Sequence, residues 1–290
     1  MNKIQSHILS IYKSVAKICN ENGLSYYAIN GTCLGAVRHG GFIPWDDDMD
    51  LAMPIEDLAA FLEIAPSSLP HGLELYYFDS IPSYRHIFIK VIDANTTFIE
   101  PSEISDPSRY KGVWIDITPI SAYPASWCQQ IYFASKNKSF SRRVAASKSS
   151  ITEMSTPKSK LAWVLQQPIV AKSKANTLAN WFRFLEGFPV NEPTSHTELW
   201  TPENPSQMVI PSECFAEYIE MPFENVMMRV PAGYDHYLTL QYQDYMKLPP
   251  LNERRTHGKQ GFIDLQHSYK LYQTGKLFLP VNIPMQSKTI

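Results

Sequence analysis

Between residues 46 and 50 the chain reads Asp46-Asp47-Asp48-Met49-Asp50, four carboxylates in five positions. Like charges this close repel, so a fold that holds them together needs a compensating group. Hard carboxylate oxygens suit Mg²⁺ or Mn²⁺. An acidic turn that only solubilises is the plainer alternative. Apolar residues on both sides, Phe42, Ile43 and Trp45 before and Leu51 to Met53 after, argue for a position against a core. If a strand begins at Asp48, alternation puts Asp48 and Asp50 on one face and Met49 and Leu51 on the other. Two carboxylates could then share a metal, with Asp46 and Asp47 in the preceding loop. A calcium loop fits less well. Asp46, Asp48 and Asp50 fall at its first, third and fifth positions, but Leu51 replaces the turn glycine and Asp57 the final glutamate. A third ligand is expected at Asp116, a single acid between Ile115 and Ile117 in the strand-like run Val113–Ile117.

The remainder of the chain is that of a folded protein. At 290 residues and 44% hydrophobic it can bury a large core in one domain or two. A net charge of −2 gives no support for a nucleic-acid partner. Cys19, Cys33, Cys128 and Cys214 lie far apart with no CxxC, which suits reduced thiols and a cytoplasmic setting. No apolar run approaches the roughly 18 residues of a spanning helix. The first twenty residues lack a signal-peptide pattern. Ile4, Ile8, Ile11, Val15 and Ile18 instead make one apolar helical stripe, ended by Asn22-Gly23.

Further elements follow from periodicity and breakers. Leu24–Ile29 reads as a strand, Thr32 to Arg38 as a short helix, and His39–Asp47 as an irregular loop. Met49–Met53 reads as a strand and Ile55–Ile64 as a helix opened by Pro54. Leu73–Phe78, Ile87–Ile92 and Val113–Ile117 are β-branched and aromatic runs that read as strands. The expectation is an α+β fold, a mixed sheet flanked by helices, with a catalytic core over residues 1–125. Residues 126–190 are expected to form a helical, basic insertion. Ten Lys and Arg stand there against two acids, which leaves the rest of the chain strongly acidic. That segment is either a solvated face or, over 136–183, a contact for anionic lipid at the inner face of a membrane. Residues 191–290 are expected to complete the site. They read as a Pro-rich loop (191–205), a hairpin about Glu224-Asn225, a helix Tyr234–Met246, and one last helix Phe262–Tyr272.

Gly31-Thr32, then Asp48 and Asp50, then Asp116 in an apolar strand resembles the signature of the polymerase-β-type nucleotidyltransferase fold. More narrowly, GTCLGAVRHGGFIPWDDDMD is very similar to the hallmark of the LicD family, which is related to the fukutin-type transferases. Weaker similarity runs through residues 89–100, 112–120, QYQDYMKLPP, and Arg254, Arg255 and His257. One departure is Gln243, where the family usually has Gly. The resemblance implies transfer of phosphocholine, or a related phospho-alcohol, from a CDP-linked donor such as CDP-choline. The acceptor would be a hydroxyl of a cell-surface polysaccharide or its lipid-linked sugar precursor, in lipopolysaccharide, capsule or teichoic acid biosynthesis.

These expectations assign Asp48, Asp50 and Asp116 as metal ligands and catalytic groups for Mg²⁺ or Mn²⁺, in line with the charge neutralisation phosphoryl transfer needs. Gly31 and Thr32 at a helix start suit a phosphate. Arg38 and His39 could pair with phosphate oxygens, and Gly40-Gly41 would let backbone approach the donor. Lys90, in an apolar strand, should snorkel or find an anion, and a phosphate of the substrate is the favoured one. Asp46, Asp47, Arg255 and His257 are expected at the substrate. A quaternary ammonium would want an aromatic face, with Trp45 first and Tyr26, Tyr27 and Trp114 behind it. Two alternatives stand: a nucleotidyltransferase moving NMP from an NTP, and a cation-dependent glycan- or lipid-binding protein without turnover.

Overall fold

A computed structural model describes residues 1–80, 84, 86–148, 157–158, 161, 174–190, 195–198, 208–254 and 261–280. Helix α1 (Lys3–Asn22) starts from a capping box, with Asn2 Oδ1 accepting from Gln5 N and Gln5 Oε1 from Asn2 N. Gly23, at φ 67°, closes its other end. Its apolar stripe (Ile8, Ile11, Val15, Ile18) is buried and packs over the sheet described next. A two-residue strand β1 (Tyr27–Ala28) leads into α2 (Asn30–His39), followed by β2 (Asp50–Pro54) and α3 (Ile55–Ser68). Then come β3 (Leu73–Tyr76), β4 (Ile89–Ile99) and β5 (Lys111–Tyr123).

Strand β5 is the centre of the sheet. It pairs in parallel with β2 and antiparallel with β4, and β1 and β3 add at the outer edges. The fold is therefore α+β with a mixed sheet, as the sequence predicts. The registers matter most. Asp50 is opposite Asp116, and Asp116 is opposite Lys90, so three charged residues form one row across β2, β5 and β4. Their chain neighbours Met49, Leu51, Ile115, Ile117, Ile89 and Val91 are all fully buried. Alternation explains both facts, since neighbours of an outward-facing row point into the core.

The basic middle is helical where it is described. Helices α4 (Trp127–Lys148) and α5 (Lys174–Glu186) pack together through Phe133, Phe140, Trp181 and Phe184, and Trp181 Nε1 donates to Asn137 Oδ1 at 2.7 Å. Lys136, Lys138, Arg143 and Arg183 are exposed. Among the described residues no helix is long and apolar enough to cross a membrane.

The C-terminal third differs from the sequence reading in three places. Part of the expected Pro-rich loop is strand β6 (Ser195–Glu198), which pairs with the end of β5 and with β7 (Met208–Ile210). The hairpin is present as β8 (Tyr218–Phe223) and β9 (Val226–Pro231). Helix α6 stops at Tyr242 rather than Met246. The expected last helix is instead a strand, β10 (Phe262–Asp264), and a short helix, α7 (Tyr269–Gln273). Strand β10 forms because Thr97–Ile99 of β4 offers it a free edge, and Asp264 then turns the chain by accepting from the Gln266 and His267 amides.

Gln243 ends α6 at φ 58°, ψ −113°, a region that glycine occupies freely and other residues rarely. The resulting bend sends the following residues, 244–253, back as a strap along α2. Gln243→Gly is expected to stabilise the protein by about 1 kcal/mol, read as a higher urea midpoint with unchanged slope. An unchanged or lower midpoint would mean the bend carries no strain.

Candidate active site

Asp50 opens β2 at the carboxyl end of the acidic loop. Its amide donates to Thr32 Oγ1 at 2.9 Å, and its Oδ2 accepts from Asn30 Nδ2 at 3.2 Å. Thr32 thus holds the strand entry with its hydroxyl. The next residue in the row, Asp116, has both oxygens engaged. Lys90 Nζ donates to Oδ1 at 2.5 Å and Trp114 Nε1 to Oδ2 at 3.0 Å. Lys90, expected at a phosphate, is bonded instead to Asp116 within the sheet. Its ammonium also lies 4.4 Å from the Trp114 ring centroid, and Lys111 Nζ approaches the same ring to 4.5 Å. Trp114 was legible only as an aromatic. The signal for its role is its spacing, two residues before Asp116 on the same strand face.

One lysine does not balance this group. Burial first, then the charges of Asp48 and Asp116, hold the Asp50 carboxyl well above the usual carboxylate range. Asp46, 9% exposed, is pushed up to about 6 by burial, with Asp50 and Asp47 adding to the rise, while hydrogen bonds with Asp48 and the Asp47 amide oppose it. Asp48 precedes the strand rather than starting it. Among the described residues no three His, Cys, Asp or Glu side chains converge on one point. Asp116 is turned to Lys90 and Trp114. The donor chemistry is nevertheless all hard oxygen, and the excess charge is negative.

The acidic loop is held from three sides. Gln5 Nε2 of α1 donates to Asp46 O at 2.8 Å. Gly31 admits the Asp46 carboxylate, since a Cβ there would lie 2.6 Å from Asp46 Oδ2. Gly40 caps α2 at φ 62°, and Gly41 lies against Glu224, the turn residue of the β8–β9 hairpin. Glu224 N donates to Gly40 O, and Glu224 Oε1 accepts from Phe42 N. The Gly40-Gly41 loop is therefore clamped by the hairpin.

Beside the acids lies a cleft of about 780 Å³. One wall carries Asn30, Gly31, Asp46, Asp48 and Asp50, and the other is formed by Tyr242 at the end of α6 with Asp244 and Tyr245 of the strap. Arg38 fastens the strap by donating from Nη1 to Tyr245 O at 2.7 Å and to Lys247 O at 3.4 Å, while its Nε donates to His39 Nε2. His39 is held below the usual imidazole range by burial and by the Arg38 charge, in keeping with its role as acceptor. Trp45 lines the cleft, but Arg254 lies 5.0 Å from its ring centroid and His39 meets it edge-on. Tyr26 and Tyr27 are core residues, and Tyr27 OH donates to Phe215 O. Asp47 is partly exposed in the loop. Arg255 and His257 lie outside the described residues.

A mixed sheet that sets two aspartates opposite each other on parallel neighbours, beside a helix opening with Gly31-Thr32, is a nucleotidyltransferase-like arrangement. Residues 23–152 match the model of the LicD/FKTN/FKRP nucleotidyltransferase domain. Lipopolysaccharide cholinephosphotransferase LicD of Haemophilus influenzae is 26% identical over 267 residues, 86% of this chain and 92% of that protein. An uncharacterized Rickettsia typhi protein, RT0683, is 43% identical over 61 residues, 20% of each chain. Human ribitol 5-phosphate transferase FKRP is 43% identical over 44 residues, 15% of this chain and 9% of that protein. The similarity to the LicD protein runs along most of the chain, and that to the ribitol 5-phosphate transferase over a short segment. The end of helix α6 and the strap, which complete the cleft, come from outside the matched domain.

Proposed function

We propose that this chain transfers phosphocholine, or a related phospho-alcohol, from a CDP-linked donor to a hydroxyl of a cell-surface glycan or its lipid-linked precursor. The observation that supports this most is the row Asp50–Asp116–Lys90 beside a carboxylate-lined cleft, in a chain similar along most of its length to a lipopolysaccharide cholinephosphotransferase. The acceptor oxygen would attack the phosphorus next to the alcohol. The new P–O bond forms as the bond from that phosphorus to the bridging oxygen breaks, CMP leaves, and the hydroxyl proton passes to a carboxylate of the site.

Mg²⁺ or Mn²⁺ held by Asp48, Asp50 and Asp116 would neutralise charge on the donor phosphates. The rest is work for the chain's own groups. Thr32 and Asn30 fix Asp50. Lys90 and Trp114 fix Asp116. Arg38 keeps the strap over the cleft, where Tyr242 and Tyr245 flank Asp244. That aromatic, acidic wall suits a quaternary ammonium better than Trp45, whose ring already meets Arg254.

The test is turnover of CDP-choline, CDP-glycerol, CDP-ribitol, CTP and ATP with Mg²⁺ or Mn²⁺. Metal-dependent CMP release from a CDP-alcohol is expected, lost on chelation with EDTA. Pyrophosphate from an NTP would instead make the chain a nucleotidyltransferase.

A further inference from the structure

Asn30 sits where β1 passes into α2, in the left-handed region at φ 50°. All of its polar groups that face the site are committed. Its amide N–H donates to Tyr237 OH at 3.0 Å, and Tyr237 OH donates back to Asn30 Oδ1 at 3.0 Å. Gln241 Nε2 donates to the same Oδ1 at 2.7 Å. Tyr237 is fully buried, and Gln241 stands one turn further along α6 on the same face. Two donors on Oδ1 leave one orientation for the side-chain amide. Its NH₂ group must face away from α6, and there it meets Asp50 Oδ2.

We propose that Asn30 is a positioning residue whose amide, locked by Tyr237 and Gln241, fixes the orientation of the Asp50 carboxylate. The inference deepens the transferase reading above and rests on it for the role of Asp50. Helix α6 is over 200 residues away in sequence, and this side chain links it to Asp50. An amide free to flip would present its oxygen to Asp50, and two acceptors would then face each other. With the flip blocked, the Asp50 carboxylate is always met by a donor, in the way outer hydrogen bonds orient metal-binding side chains.

Asn30→Gly removes the amide and keeps a residue at ease at φ 50°, so the fold should survive, as far-UV circular dichroism would show. Two readouts are needed. The first is kcat and KM for the donor turned over by the wild type. The second is Mn²⁺ affinity by electron paramagnetic resonance, which needs no donor. Asn30→Gly is expected to lower kcat and weaken Mn²⁺ binding each by roughly 10- to 100-fold, with donor KM changed less than threefold. Tyr237→Phe should weaken Mn²⁺ binding in the wild-type background and change nothing further in the Asn30→Gly background. That non-additivity is what an effect acting through Asn30 requires and what independent packing losses would not give.

Additive effects, or Mn²⁺ affinity unchanged by Asn30→Gly, would overturn the role of Asn30 and leave the transferase reading standing. Loss of Mn²⁺ affinity in a protein that turns over no CDP-alcohol would uphold Asn30 and overturn the donor. A wild-type chain that binds no Mn²⁺ would overturn both.

Discussion

Asp50→Asn is expected to lower kcat by about 10³-fold and, in metal-free protein at pH 7.5, to raise the melting temperature. The two effects have one cause. Asp50 shares a half-buried row with Asp116 and has Asp48 beside it. Phosphoryl transfer needs concentrated negative charge there to hold a cation, and losing it removes on the order of 4 kcal/mol of transition-state stabilisation. The same concentration of charge opposes folding. The carboxyl of Asp50 lies above its unfolded value in the folded state, so its ionised form costs stability at neutral pH. The Asp50 contribution to the stability of the metal-free protein should therefore become more favourable as pH falls towards the unfolded value near 4. Asp46, pushed up to about 6, contributes with the same sign. Asparagine at position 50 keeps an acceptor for Asn30 and removes one share of this slope. Melting curves at pH 7.5 and 5 in EDTA measure it. A variant less stable than wild type at pH 7.5 would show that the repulsion is already relieved in the native protein.

Lys90→Met should have the opposite signature, a fold weakened by about 3–5 kcal/mol. Lys90 is 8% exposed, and its ammonium bonds Asp116 Oδ1 while lying over the Trp114 ring. Methionine keeps much of the stem volume and removes the charge. Asp116 is then left half-buried beside Asp50, with the Trp114 indole N–H still donating to it. The loss should be read by urea unfolding in EDTA. Adding Asp116→Asn to Lys90→Met should recover a large part of it, because no unpaired charge remains. Equal stabilities of the single and double variants would mean that Lys90 acts through packing alone.

Local chemistry made half of this site legible in the sequence. Four acids among apolar residues marked the loop, and alternation put Met49 and Leu51 in the core, as found. The lone acid between Ile115 and Ile117 marked Asp116. Pairing across the sheet was beyond reach. Nothing local states that Asp116 lies opposite both Asp50 and Lys90, since register is set by contacts far apart in the chain. Asn30, between the expected strand and helix, drew no role of its own because its partners, Tyr237 and Gln241, come so much later. Those two polar residues four apart on one helix face were the available signal. The run Phe262–Tyr272 has spacing compatible with a helix, and the free edge of β4 overrode it.

The clamp that Glu224 places on Gly40 and Phe42 has a consequence for the birth of the protein. The ribosome delivers the acidic loop early, and the hairpin that braces it is made some 180 residues later. Until then the nascent chain carries the complete signature motif without the geometry that gives it meaning. Ordering of the site thus waits for the hairpin, and a product released before Phe223 would have the acidic loop and Asp116 without this brace.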